Sequence, residues 1–161
     1  PYPSNYVGTL LPAIREYTVT PGEKTTTISG KGKAGLKQEE NYYFFYLPVC
    51  YKGITGKSYA YYNTSRSKNL YLPASVDENY SYDIQLPENL TLCTPIQEKK
   101  IDNPIGSFKI TLTSEGSSLH IELALQIKKQ LITPAEYPAF RSLITEWTDR
   151  TRKPILFKTV Q

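Results

Sequence analysis

Regular alternation of apolar and polar residues in the last third of the chain predicts a long strand with one buried face. The apolar positions recur at every second residue: Leu119, Ile121, Leu123, Leu125 and Ile127. The residues between them are polar apart from Ala124, and a period of two over this length is typical of a half-buried strand. His120 falls on the polar side, so we expect its side chain to point to solvent.

An amphipathic helix is predicted after this strand, over residues 134–149. Thr133-Pro134-Ala135-Glu136 matches a capping box in which Glu136 reaches back to Thr133, and Pro134 has the fixed φ that suits the first helical position. The apolar positions then recur at helical spacing: Tyr137, Phe140, Leu143, Ile144 and Trp147. The polar positions lie opposite: Arg141, Ser142, Thr145 and Glu146. Such a stripe needs a sheet to pack on, and Pro138 predicts a distorted first turn.

Short apolar runs separated by turn residues predict that the rest of the chain is antiparallel β-structure. The further strand candidates are 14–20, 25–29, 42–47, 57–63, 70–72, 80–86, 90–92, 108–112 and 155–157. Their spacing is near the 8–12 residues typical of antiparallel sandwiches. We therefore predict a mainly β fold: an antiparallel β-sandwich-like domain with one C-terminal amphipathic helix packed on the sheet.

The length of 161 residues allows one domain, or one and a small part of another. We expect residues 1–40 to be an N-terminal linking segment with short strands. Residues 41–161 are expected to form the β-sandwich domain with its helix, and the two parts to make one structural unit.

Composition and charge exclude some classes of function. The net charge of +4 comes from 19 basic and 15 acidic residues scattered along the chain, which is too sparse for a nucleic-acid-binding surface. No run approaches the ~18 apolar residues that a membrane span needs. The 14 Tyr and 12 Pro residues, with the β-branched residues, indicate a β-rich extracytoplasmic module.

No catalytic, metal-binding or cofactor-binding residue is predicted. One His and two separated Cys do not give the ligand spacing of a zinc site. A thiol enzyme would need Cys50 or Cys93 beside His120, and neither cysteine begins a predicted helix that would lower its pKa. The two cysteines could be free buried thiols, which their strand-like surroundings slightly favour, or a disulfide in an oxidising compartment.

A cluster of tyrosines near a loop is the candidate ligand-binding site. It comprises Tyr59, Tyr61 and Tyr62 together with Arg66. Exposed tyrosines on a sandwich face can stack on sugar rings or hold an extended peptide. The alternative interpretation is that these rings are core or cross-strand filler.

Four motifs occur in order along the chain. They are an Arg before a strand ending in Leu-Pro (Arg66, Leu70, Leu72, Pro73), an Asp-Glu-x-Tyr-x-Tyr strand (Asp77, Glu78, Tyr80, Tyr82), an Asn-x-x-Gly turn (Asn103, Gly106) and a Pro-x-Glu-Tyr-x-x-Phe-Arg helix (Pro134, Glu136, Tyr137, Phe140, Arg141). From residue 41 to 158 this series resembles the C-terminal region of large cell-envelope proteins of Bacteroidetes. In those proteins a transglutaminase-like domain with a cysteine-peptidase fold lies between two β-domains of unknown function.

The resemblance implies that this chain is the non-catalytic β-domain after the enzyme domain, located in the periplasm or on the outer cell surface. The family's catalytic Cys, His and Asp belong to the middle domain, and Cys50 lacks the Trp-x-Cys setting of such nucleophiles. The expected role is an accessory domain that packs on or positions the transglutaminase-like domain of the same parent chain, with an exposed apolar patch for that contact. The alternative is a glycan- or peptide-binding module that uses the tyrosine cluster. The substrate of the parent protein and the oligomeric state stay open.

Overall fold

A computed structural model of the chain describes residues 14–23, 25–33, 35–49, 54 and 64–160. The elements in these ranges are, in chain order, β1 (Ile14–Pro21), β2 (Thr26–Gly32), β3 (Lys37–Glu39), β4 (Tyr42–Phe45), β5 (Leu70–Tyr71), β6 (Val76–Gln85), β7 (Leu90–Leu92), β8 (Gln97–Asn103), β9 (Gly106–Glu115), β10 (Ser118–Ile127), β11 (Leu131–Ile132), α1 (Tyr137–Arg152) and β12 (Ile155–Thr159). The fold is mainly β with one C-terminal helix among the described residues, so the predicted fold class is confirmed.

The largest sheet has four antiparallel strands in the order β6-β10-β9-β8. One of its two inner strands, β10, is the strand that the alternating pattern predicts, and it pairs residue by residue with β6 and with β9. The apolar residues of β9 and β10 other than Ala124 are buried on one face, while Lys109, His120 and Glu122 lie on the other face. The burial of one face only explains the period of two in the sequence.

Helix α1 packs on the buried face of this sheet, against β9 and β10. Phe140, Leu143 and Trp147 are completely buried there. The indole ring of Trp147 lies 5.8 Å from the ring of Tyr80 on β6, so the aromatic stripe of the helix also reaches the sheet's edge. Burial of the five apolar positions of this stripe is the main force that holds the helix in place.

The helix begins at Tyr137, three residues after the predicted Pro134, and ends at Arg152. A helix that began at Pro134 would place Pro138 where its ring clashes with the carbonyl of residue 134 and where an N–H is needed. With the start at Tyr137, Pro138 lies in the first turn, where an N–H has no intrahelical partner. Glu136 does reach back to Thr133: its Oε2 accepts hydrogen bonds from the Thr133 N–H at 3.1 Å and from Thr133 Oγ1 at 3.0 Å.

The shorter strands form three further antiparallel sheets. Their orders are β3-β4-β12-β7, β11-β5 and the hairpin β1-β2. Phe45 of β4 and Phe157 of β12 are buried in the same core as α1. The polar strands β3 and β8 were not predicted, and the predicted strand 57–63 lies outside the described residues. The division of the chain at residue 40 stays a prediction.

Candidate functional site

An open groove with a volume of about 500 Å³ runs along the N-terminal half of α1. Its walls are the helix, the loop before β5 and strand β8. The apolar lining consists of Ile101, Pro134, Tyr137 and Pro138, and the charged lining of Arg66, Arg141 and Glu146. Hydroxyl groups line the remainder: Ser65, Ser142 and Thr145.

The helical contribution to the groove follows from residue spacing. Pro138, Arg141, Ser142 and Thr145 are three or four residues apart and therefore share one side of the helix. They are all exposed and border the buried stripe of α1. Arg141, Ser142 and Thr145 were predicted to lie on the helix face opposite the core, which is confirmed. The groove beside them was not predicted.

Arg66, a residue of the predicted ligand cluster, lies over the ring of Tyr137. Its guanidinium carbon is 5.8 Å from the ring centroid, within cation–π distance. The Tyr137 ring is only 3% exposed and also contacts Phe140, at 5.7 Å between centroids. The half-buried Arg66 is therefore held on a rigid aromatic surface at the edge of the groove.

The acidic residue of the groove is already paired. Glu146 Oε1 accepts a hydrogen bond from Lys99 of β8 at 2.6 Å. This ion pair joins the helix to an edge strand of the main sheet and neutralises the Glu146 charge. The basic residues of the described lining are Arg66 and Arg141.

The end of the groove near Pro134 is fixed by the Glu136 carboxylate. It accepts hydrogen bonds from Lys129 and from Thr133. The Lys129 ammonium, with the two Thr133 donors, lowers the pKa of Glu136 to about 2. The carboxylate therefore stays ionised and holds the turn before the helix in place.

Asn103 fixes the helix to the turn between β8 and β9. Its Oδ1 accepts hydrogen bonds from the N–H groups of Ile105 and Gly106, at 2.9 and 3.3 Å, and its Nδ2 donates to the Ala139 carbonyl at 3.1 Å. The Asn-x-x-Gly motif of the sequence is thus a turn that also anchors the first turn of α1.

An exposed apolar pair is close to the groove residues in sequence. Tyr71 of β5 and Leu131 of β11 are cross-strand partners, and they are 72% and 43% exposed. β5 follows the loop that carries Arg66, and β11 precedes the turn that begins at Thr133. We refer to Tyr71 and Leu131 as the apolar pair.

The outer face of the main sheet carries a different set of polar contacts. His120 Nδ1 is 2.7 Å from Asp83 Oδ1, and Lys109 Nζ is 3.1 Å from Glu122 Oε2. The hydrogen bond to Asp83 raises the pKa of His120, and the hydrogen bond from Lys109 lowers the pKa of Glu122. His120 is on the solvent side of the sheet, as predicted.

The predicted ligand cluster is described only in part. Tyr59, Tyr61 and Tyr62 lie outside the described residues, as does Cys50, whereas Arg66 lines the groove.

Cys93 is a half-buried free thiol whose Sγ lies 4.0 Å from the Thr91 carbonyl oxygen, while His120 is hydrogen-bonded to Asp83. In the described part of the chain, His, Cys, Asp and Glu residues form no group that could hold a metal ion, and no helix is long and apolar enough to cross a membrane.

Comparison with known proteins gives one family and one solved structure. Residues 41–157 match the model of the family described as Domain of Unknown Function DUF3858. The chain is similar to the crystal structure of a protein from Parabacteroides distasonis described as a "putative protease", with 31% sequence identity and a TM-score of 0.66. The similarity covers 76% of this chain and 24% of that one, so the chain spans about a quarter of its relative's length. No curated protein sequence matches the chain.

Proposed function

The chain belongs to the DUF3858 family of domains of unknown function, and we propose that it is a non-catalytic accessory domain of a transglutaminase-like protein with a cysteine-peptidase fold. In this proposal it packs on or positions the catalytic domain of the same parent chain. The parent is exported to the periplasm or the outer cell surface. The transglutaminase-like character and the export rest on the sequence resemblance alone.

The observation that carries the proposal is the unequal coverage of the structural relative. The similarity takes in most of this chain but only 24% of a protein described as a "putative protease". A domain of this size in a longer chain of that kind leaves ample length for a separate catalytic domain. The geometry of Cys93 and His120, each engaged with another group, is consistent with catalysis in another domain.

The apolar pair is the surface that best fits contact with a second domain. Tyr71 and Leu131 are large apolar side chains that are adjacent across two short strands and exposed. Their burial against a partner would remove apolar area from water, at about 25 cal/mol per Å². The sequence predicts an exposed apolar patch for this contact, and the apolar pair is our candidate for it.

The experiment compares variants of the full parent protein. We expect the double variant Tyr71→Ser/Leu131→Ser to change its peptide-cleaving or transamidating activity several-fold and to lower the thermal midpoint of the catalytic domain. Ile96→Ser is the matched control, because Ile96 is also an exposed aliphatic residue, at 63%. Unchanged activity and an unchanged midpoint in the double variant would refute contact through the apolar pair. If deletion of residues 1–161 also had no effect, the accessory role itself would be wrong.

A second candidate function, a glycan- or peptide-binding module, is favoured by one observation. Arg66, predicted as a ligand-binding residue, lines an open groove with a second arginine and several hydroxyl groups. Ligand binding and the accessory role are compatible, because the groove and the apolar pair are made of different residues.

A further inference from the structure

We infer that the outer face of the sheet β3-β4-β12-β7 binds an acidic polysaccharide, one whose sugars carry carboxylates. Three aromatic residues occupy every second position of the chain on this face, Tyr42, Phe44 and Tyr46, and we refer to them as the aromatic face. Tyr42 and Tyr46 are 43% and 46% exposed. The residues between them, Tyr43 and Phe45, pack on the other side of the sheet, in the core.

The position of β4 inside the sheet favours a ligand that is held by side chains. β4 pairs with β3 on one side and with β12 on the other, so an extended peptide cannot add to it as a further strand. What this face offers a ligand is rings and charged groups. A sugar ring suits such a surface, because its apolar face can pack on a tyrosine ring while its polar groups stay at the rim.

Each exposed tyrosine of the aromatic face has a lysine beside it. Lys158 is the cross-strand partner of Tyr42, and cross-strand partners share a face of the sheet. Lys37 is the cross-strand partner of Phe44, and its Nζ lies 5.6 Å from the centroid of the Tyr46 ring, within cation–π distance. Among the described residues, no carboxylate lies within ion-pair distance of either lysine. Two ammonium groups are therefore presented beside two open rings.

The charges of the face favour an acidic sugar over a neutral or basic one. The charged residues of the four strands are Lys37, Glu39 and Lys158. Glu39 lies on the edge strand β3, opposite Tyr42. Two lysines and one glutamate leave an excess of one positive charge, which attracts an anionic ligand.

The length of the aromatic face favours a chain of sugars over a single one. Tyr42 and Tyr46 are four extended residues apart, about 14 Å along the strand, which is longer than one sugar ring. Phe44 and its cross-strand partner Leu156 fill the middle and are half-buried. An oligosaccharide can therefore contact both tyrosines and lie over an apolar centre.

The test is isothermal titration calorimetry of the chain with matched carbohydrate probes. The acidic probes are the tetrasaccharides of galacturonate and of mannuronate. The neutral probe for each is its methyl ester, which has the same rings without the charge. We expect an acidic tetrasaccharide to bind about fivefold more tightly than its methyl ester, because two lysines attract its carboxylates.

The variants separate the contribution of the rings from that of the charges. Tyr42→Ala and Tyr46→Ala should each weaken binding of the acidic tetrasaccharide and of its ester about fivefold, because each removes a ring. Lys37→Gln and Lys158→Gln should weaken binding of the acidic probe alone, by about threefold. Glu39→Gln should instead tighten binding of the acidic probe about twofold, because it removes a repelling charge.

The matched controls lie outside this sheet. Tyr17→Ala removes a tyrosine of β1 that is 47% exposed, and Lys128→Gln removes the charge of an exposed lysine after β10. Both controls should retain the affinity of the original chain, and circular dichroism checks the fold of every variant. Losses in the controls equal to those in the variants would mean non-specific attraction and would overturn the inference.

Four further results would also overturn it. They are no binding of either acidic tetrasaccharide at millimolar concentration, equal affinity for acid and ester, weaker binding in Glu39→Gln, and tighter binding of a hexaglutamate peptide than of both acidic tetrasaccharides. Sedimentation addresses a different occupant of the face. Self-association that Tyr46→Ala abolishes, without sugar binding, would mean that a second copy of the chain covers the aromatic face.

The inference goes beyond the accessory role and fails separately from it, because the aromatic face contains neither the groove residues nor the apolar pair. Tyr71→Ser/Leu131→Ser should leave affinity for the acidic tetrasaccharide unchanged. Tyr42→Ala should leave the thermal midpoint of a parent catalytic domain unchanged.

Discussion

Gly106 lies so close to the neighbouring strand that a Cβ atom at this position would be 1.8 Å from the Gln126 carbonyl oxygen. The obstructing atoms belong to the backbone of β10, an inner strand of the main sheet, and cannot rotate away as a side chain could. We therefore expect Gly106→Ala to force the strands apart and to lower the free energy of unfolding by about 3 kcal/mol or more. Chemical denaturation followed by circular dichroism measures this change.

Gly35→Ala is the control for the Gly106 prediction. A Cβ at residue 35 meets no atom within 4 Å, so this variant should stay within about 0.5 kcal/mol of the original chain. Similar stability of the two variants would contradict the close approach of Gly106 to β10.

Asn103 supplies three hydrogen bonds at the junction of the main sheet and the helix. Asn103→Ala removes all three and leaves the Ile105 N–H without its partner, so we expect a loss of about 2–3 kcal/mol in the free energy of unfolding. Asn103→Asp retains the acceptor for Ile105 and Gly106 but loses the donor to the Ala139 carbonyl. It should therefore be less destabilising, by denaturant titration, than Asn103→Ala. A loss below about 0.5 kcal/mol in the alanine variant would show that these bonds do not hold the turn.

The elements predicted from the sequence are those whose burial leaves a periodic pattern. β10 alternates because one of its faces is buried, and α1 shows its stripe because that stripe packs on the sheet. β8 was missed because Ile101 is the one apolar residue in its seven. It is held by backbone hydrogen bonds to β9 at the edge of the sheet, where charged side chains are tolerated and discourage pairing with other chains.

Of the groove residues, only Arg66 was predicted to bind a ligand. The tyrosines predicted to act with it lie outside the described residues. Helical periodicity shows that Arg141, Ser142 and Thr145 turn away from the core, but it does not show what stands beside them. The groove exists because β8 and the loop before β5 lie next to α1, and those neighbours are set by strand pairing far along the chain. The sequence pattern that could have indicated the groove is an arginine and hydroxyl residues at helical spacing after Pro138.

The pKa of Glu136 predicts how stability depends on acid pH. Its folded-state pKa is about 2, against 4.5 for an unperturbed Glu. A carboxyl with a lowered pKa contributes stability above pH 4.5, and this contribution is lost as the pH falls towards 2. We therefore expect Glu136→Gln to be less stable than the original chain at pH 6, with the difference shrinking between pH 4.5 and pH 2. Urea denaturation across this range measures the difference.

Glu88→Gln is the control for the acid-pH prediction, because Glu88 is an exposed turn residue. Its free energy of unfolding at pH 6 should differ little from that of the original chain. A difference for Glu136→Gln that stays constant from pH 6 to pH 2 would contradict the ion pair with Lys129 and the bonds with Thr133.

His120 is the single histidine of the 161 residues, so its titration can be followed without assignment of other histidines. The hydrogen bond to Asp83 raises its pKa above the ordinary 6.5, so its contribution to stability is present below pH 6.5 and is lost as the pH rises through the folded-state pKa. In the NMR spectrum we expect the imidazole signals to titrate with a midpoint above 6.5, and Asp83→Asn to lower that midpoint. Asp102→Asn should leave it unchanged, because the Asp102 carboxylate lies near Lys100. A midpoint at or below 6.5, or one that Asp83→Asn does not move, would mean that the Asp83 carboxylate does not hold the imidazolium on this face of the sheet.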